Sequence, residues 1–196
     1  MATEQAIATT GEAILGLLAE ARPRPEFDGA RFALYQAGSF QEPMEDGVSL
    51  YLYRVAINGN RRNLPPRLGP DGRRYRPSLP LDLFYLLTPW ARTAERQQRM
   101  LGWCMRALED TPTLPASLLN HYGPDAGTFQ PDETITLVAD PISMQDMNAI
   151  WDPFKPRISL SVAYVAHLVA IESRLDLDEY PPVQTRVFQA GTVRTP

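Results

Sequence analysis

The sequence predicts an α/β (α+β) protein built on a single mixed, largely antiparallel sheet of about four to six strands, with helices packed against it. Runs rich in β-branched and aromatic residues recur at 48–57, 81–88, 134–139 and 158–171. Residues 94–109 carry a clean helical stripe, and the chain opens on another helical pattern at 3–21. With 196 residues, 44% hydrophobic and 21% charged, one core plus arms is the expected organisation. Residues 1–174 form the domain in this reading, and 175–196 a C-terminal strand and tail.

Ile7, Ile14, Leu15, Leu17 and Leu18 recur at helical spacing among alanines, so 3–21 reads as an amphipathic helix, weakened by Gly11 and ended by the prolines at 23 and 25. Residues 31–37 are a short strand candidate, and 38–47, with three acids, reads as a solvated loop. In 48–57, Val48, Leu50, Leu52 and Ala56 alternate with Tyr51, Tyr53, Val55 and Ile57, which suits a central strand covered on both faces. Asn58, Gly59 and Asn60 tolerate positive φ and Pro65 and Pro66 lack amide donors, so the strand ends there.

Residues 77–90 are apolar, aromatic and bounded by prolines, which favours a strand, although periodicity alone does not separate strand from helix here. Thr93 is placed to cap the next helix, whose stripe is Met100, Leu101, Cys104, Met105 and Leu108. A helical turn at 115–122 and a loop at 123–130 follow. Residues 134–139 alternate as a strand, and Ser143 with Asp146 resembles a capping box for a short helix through Trp151. Residues 157–172 are the longest strand candidate, with a second half apolar on both faces, and 183–188 make a last strand.

The parts needed for catalysis are missing from the pattern. His121, in an expected loop, and His167, in an apolar strand, belong to no metal-ligand spacing such as HExxH, and no phosphate-binding glycine loop occurs. His167 reads as a hydrogen-bonded sheet residue, and Asp82, inside an apolar run, as the partner of a nearby arginine. Cys104 is the single cysteine and sits in a helical stripe, where a thiol behaves as a small hydrophobe. A reducing, cytoplasmic setting fits. The N-terminus has no basic region before Arg22, so no signal peptide is expected, and no apolar run approaches the roughly 20 residues that span a bilayer. No enzyme activity, catalytic residue, metal or cofactor is expected.

The positive signal is charge. Between Arg54 and Arg76 there are seven arginines against one acid, Asp71, in a chain whose net charge is -4. Three readings are open: ion pairing or solvation within the subunit, binding to an acidic protein surface, and binding to phosphate. Net acidity argues against a general nucleic-acid binder, and Tyr51, Tyr53 and Tyr75 make no evident stacking platform.

The strings GVSLYLYRVAINGNRRNLPPR, RPSLPLDLFYLLTPWA, QQRMLGWCMRALEDTPTL, IWDPF and ISLSVAYVAHLVAIE, in that order, resemble the Pvc16-type N-terminal domain family from about residue 3 to 172, most of the chain. The resemblance implies a cap, or tail terminator, of a phage-tail-like contractile injection system. Such a cap is a homo-oligomeric ring, hexameric by resemblance, that closes the distal end of the sheath and inner tube. Its implied partners are further copies of itself and the sheath and tube proteins, with no small-molecule substrate and no membrane. Assembly is expected in the cytoplasm, as part of a particle that is released or retained. Asn58, Arg61, Arg62, Asn63 and Arg67 match the most recognisable block and are the interface positions implied, with Arg73, Arg74 and Arg76 continuing the same basic loop. The block can equally serve to fold the turn. Alternatives are a phage or prophage tail-completion protein, and an arginine-loop nucleic-acid binder.

Overall fold

The computed structural model describes residues 2–61, 64–69, 71–155 and 158–177. Helix α1 (Ala6–Ala21) buries Ile14, Leu15 and Leu18. Strands β1 (Arg31–Tyr35) and β2 (Gly47–Ile57) lie parallel, Arg31 opposite Gly47 and Tyr35 opposite Tyr51. A parallel pair needs a crossover, and here residues 36–46 supply it through a 3-10 turn at Ala37–Phe40. Gly47 starts β2 at φ +148, where a Cβ would fall 2.0 Å from the Arg31 carbonyl oxygen, so the close approach of the two strands requires glycine.

A two-stranded hairpin follows, β3 (Arg67–Leu68) and β4 (Arg74–Tyr75), and then the 12-residue strand β5 (Leu79–Trp90). Next come helix α2 (Ala94–Asp110), strand β6 (Thr113–Pro115), helix α3 (Ala116–Tyr122), strand β7 (Thr134–Ala139), helix α4 (Met144–Trp151) and strand β8 (Val162–Ile171). The main sheet runs β1-β2-β5-β8-β7-β6, antiparallel at every pairing after β1/β2. Its register shifts at two places, between Leu52 and Arg54 in β2 and between Leu81 and Leu83 in β5.

Alternation along β5 sends its side chains into two cores. Leu81, Leu83, Tyr85 and Leu87 join Ile14, Leu18, Met100, Cys104, Leu108 and Leu119 under the helices α1, α2 and α3. Leu86 and Trp90 face the other way, into an aromatic cluster of Phe40, Trp151 and Phe154 with Met44. Phe40 stacks on Phe154 at 4.3 Å between centroids and meets Trp151 edge-on at 5.3 Å. Each fully buried side chain of this size contributes about 1.5–3 kcal/mol.

Helix α2 is fixed at its start by Thr93, whose Oγ1 accepts the Arg96 amide. Arg96 also forks onto Asp46 at 2.7 and 2.8 Å, which ties the helix to the crossover loop. The Ser143–Asp146 cap of α4 is present, with the Asp146 amide donating to Ser143 Oγ at 3.1 Å.

Several expectations are corrected. Residues 38–47 are not simply a solvated loop, because Phe40 and Met44 are buried in the aromatic core. Residues 48–57 form a strand, but β1 covers it only as far as Tyr51, so its far half is a sheet edge with exposed Val55 and Ile57. The stretch 158–161 stays outside β8, since β5 pairing ends at Leu87 opposite Val162; β5 is therefore the longest strand. Met105, assigned to the α2 stripe, is 39% exposed. His121 lies on α3, not in a loop. The short strands β3, β4 and β6 were not foreseen, and 183–188 lies outside the described residues.

Candidate functional site

The basic loop is built on Asn58, the residue after β2. Its side chain is buried and donates from Nδ2 to both oxygens of Asp82, at 3.1 and 3.0 Å. Its Oδ1 accepts the amides of Asn60 and Arg61, at 3.1 and 3.2 Å, which shapes the 3-10 turn Gly59–Arg61. Of the positions implied as an interface, Asn58 thus anchors the turn from inside, and Arg61 projects from it. Arg62 and Asn63 lie outside the described residues.

The rest of the loop is the β3/β4 hairpin, in which Arg67 pairs with Tyr75 and Leu68 with Arg74. Gly69 donates its amide to the Arg73 carbonyl at 2.8 Å. Asp71 accepts the Tyr75 hydroxyl at 2.6 Å and the Arg73 amide at 3.1 Å; these two bonds, the first above all, hold its carboxyl below the usual range. The chain leaving β8 lies along β4, with the Arg76 amide donating to Leu175 and the Leu177 amide to Arg74.

The arginines divide into two groups. Arg67 pairs with Glu172 at 3.2 Å and lies over the Tyr75 ring at 4.9 Å, and Arg73 pairs with Asp176 at 3.2 Å. Arg61, Arg74 and Arg76 are exposed and form no ion pair among the described residues. Ion pairing within the subunit, the first of the three sequence readings, therefore accounts for Arg67 and Arg73. Some of its charge is structural, and some points outward.

Asp82 sits at the register shift in β5, where one residue faces both His167 and Leu168 of β8. Leu168 adopts φ 66, a left-handed conformation unusual for a leucine. Asp82 Oδ1 accepts the Leu168 amide at 3.3 Å and lies 3.0 Å from His167 Nδ1. Burial pushes the Asp82 carboxyl up, but the bonds from Asn58, His167 and Leu168 outweigh it and leave the carboxyl below its ordinary value. The expected arginine partner is replaced by this set of donors. An open cavity of about 440 Å³ lies beside it, lined by Asn58, Asn60, Arg61, Thr136 and His167. With its oxygens taken by neighbouring donors, Asp82 is suited to holding a bulge. The signal available in the sequence was an acid and a histidine placed inside two apolar strands.

Among the described residues no group of three or more His, Cys, Asp or Glu is arranged to hold a metal ion. No helix among them is long and apolar enough to cross a membrane. Cys104 is buried on the inner face of α2, and burial pushes its thiol up to about 12.

Residues 10–185 match the Pvc16 N-terminal domain. The chain belongs to that family. No protein of curated function matches it. Among solved structures, the Pvc16-type chain resembles one from the PVC sheath/tube terminator of an extracellular contractile injection system in its extended state, determined by cryo-EM. The TM-score is 0.64 at 17% identity, over 99% of this chain and 66% of that one. It also resembles the anti-feeding prophage cap, a tube-terminating cap, with TM-score 0.60 and 16% identity over 92% of this chain and 60% of that one. The Pvc16-type chain thus spans 66% and 60% of the length of these two proteins, and at such identities the likeness is one of fold.

Proposed function

We propose that this chain is the cap, or tail terminator, of a phage-tail-like contractile injection system. A homo-oligomeric ring of it, a hexamer by family resemblance, closes the distal end of the sheath and inner tube. The observation that carries this reading is the fold, shared over nearly the whole chain with a sheath/tube terminator and with a tube-terminating cap. Residues 1–174 form the body of the ring, followed by 175–196 as C-terminal strand and tail.

The cap works by binding alone, to further copies of itself and to sheath and tube proteins, with Asn58, Arg61, Arg62, Asn63, Arg67, Arg73, Arg74 and Arg76 at or beneath the contact. The outward guanidinium groups of Arg61, Arg74 and Arg76 support a contact with acidic protein surfaces. It is assembled in the cytoplasm and remains part of the particle.

The test is to produce particles with and without this chain and image their ends by negative-stain electron microscopy. Without it, the particles should lose closed ends and uniform length, and adding the purified chain during assembly should restore both. Closed particles of normal length in its absence would refute the proposal.

A further inference from the structure

Strand β1 ends the sheet, and no strand lies on its outer side among the described residues. Between it and α1 runs an apolar groove of about 390 Å³, lined by Leu15, Gly16, Ala19, Phe32 and Leu34, the last 42% exposed. Glu12 joins this lining, and its Oε2 is buried with no hydrogen-bond partner among the described residues. A carboxylate oxygen shielded from water and given no donor is an unfavourable arrangement unless something supplies one.

No basic residue joins Glu12 in the lining of the groove, and the other charged groups at the two ends of α1 make contacts of their own. Glu4 pairs with Arg174 at 3.0 Å, and Glu20 accepts the Tyr122 hydroxyl. Arg22, at the end of α1, turns its NH1 back onto the Ala19 carbonyl at 2.6 Å. A cationic donor delivered together with apolar surface fits a groove lined by Glu12 and apolar side chains.

The arginine hairpin presents that combination. Leu68 and Arg74 are direct partners across β3 and β4, and side chains opposite each other in an antiparallel pair leave the same face. Leu68 is 69% exposed, and Arg74 is exposed and unpaired among the described residues. One face thus carries an exposed apolar side chain beside a free guanidinium, and the groove carries apolar walls beside an unsatisfied carboxylate oxygen.

We infer that the hairpin of one copy docks in the α1/β1 groove of a second copy, with Leu68 against Phe32 and Leu34 and Arg74 donating to Glu12. This rests on the proposed ring and names its subunit contact. Donor and acceptor are different surfaces, one on the β3/β4 hairpin and one along the β1 edge of the sheet. The contact is therefore heterologous, every copy keeps one of each surface to offer, and rotation can close the chain of contacts.

The test exchanges the charges in the full-length chain and follows assembly by analytical ultracentrifugation, with circular dichroism confirming the fold. Wild type should form a closed oligomer. E12R alone and R74E alone should each weaken association at least tenfold, and E12R/R74E should recover it. Glu12→Gln, which keeps the size of the side chain, should weaken it less than E12R, and Leu68→Ser should also weaken it. A folded single variant that assembles like wild type would overturn the inference, as would a double variant no better than the singles. A wild type that stays monomeric at every concentration and uses the groove only for a sheath or tube protein would overturn it as well. Binding of wild type to tube and sheath ends is scored separately. Capping with charge-insensitive assembly sinks this contact and leaves the cap, whereas charge-swapped rings that ignore tube ends sink the cap and leave the contact.

Discussion

Asp82 Oδ1 lies 3.0 Å from His167 Nδ1, and the same oxygen takes the amide of Leu168, the residue held at φ 66. One carboxylate thus links β5 to the bulge of β8 while Asn58 connects it to the basic loop. The strain of a left-handed leucine is maintained by bonds that only this geometry offers.

Replacing Asp82 by Ala should cost about 1–3 kcal/mol in urea unfolding, because several donors lose their acceptor. The effect should also depend on pH. The folded carboxyl lies below its ordinary value, so its contribution is complete above the unfolded pKa of about 4 and disappears as pH falls through the lower folded value. Urea midpoints of wild type and Asp82→Asn should converge on acidification from neutral pH to about pH 2. A constant difference would refute the role.

Cys104 should be inert in the folded protein. Its thiol is pushed up to about 12 and buried, so a thiol reagent at pH 8 should label it only on unfolding. Fast stoichiometric labelling of the native chain would contradict this placement.

Trp151 separates packing from hydrogen bonding. It is fully buried, yet its indole nitrogen has no hydrogen-bond partner among the described residues. Trp151→Phe should therefore cost about 1–2 kcal/mol and Trp151→Ala about 3–5, read from thermal or urea unfolding. Equal losses in the two variants would show that something other than volume is at stake.

Changing Arg61 and Arg62 together to Glu should leave the far-ultraviolet circular dichroism of the subunit unchanged, since Arg61 is exposed and only its backbone amide is bonded to Asn58. Ring formation or docking on particle ends should weaken by about 2 kcal/mol or more if the loop forms buried charge pairs. Normally capped particles from the folded double variant would remove these residues from the interface.

Much of the fold was legible where the signals are local. The Thr93 cap, the α2 stripe and the alternation in β7 lie within a few residues of what they specify. Phe40 was missed because three nearby acids mark its loop as solvated, while its stacking partner Phe154 lies far along the chain. Ile158 and Leu160 alternate as a strand should, but they are exposed, and the pairing of β5 with β8 ends at Leu87 opposite Val162. At the basic loop the arginines could be counted. Which of them are engaged could not, because Glu172 and Asp176 reach the hairpin only through the path of the chain after β8.

The two register shifts fall at neighbouring heights in the sheet, one on each side of β5. Toward the hairpin from that crease, Val55, Ile57 and Leu79 are exposed; away from it, β5 is gripped between the helical and aromatic cores. Tension applied through the basic loop therefore meets the sheet as a zipper, loading its backbone bonds one after another from the exposed end. Peeling should stop at the crease, where two cores resist together, so the loop end can yield while the body keeps its shape under load.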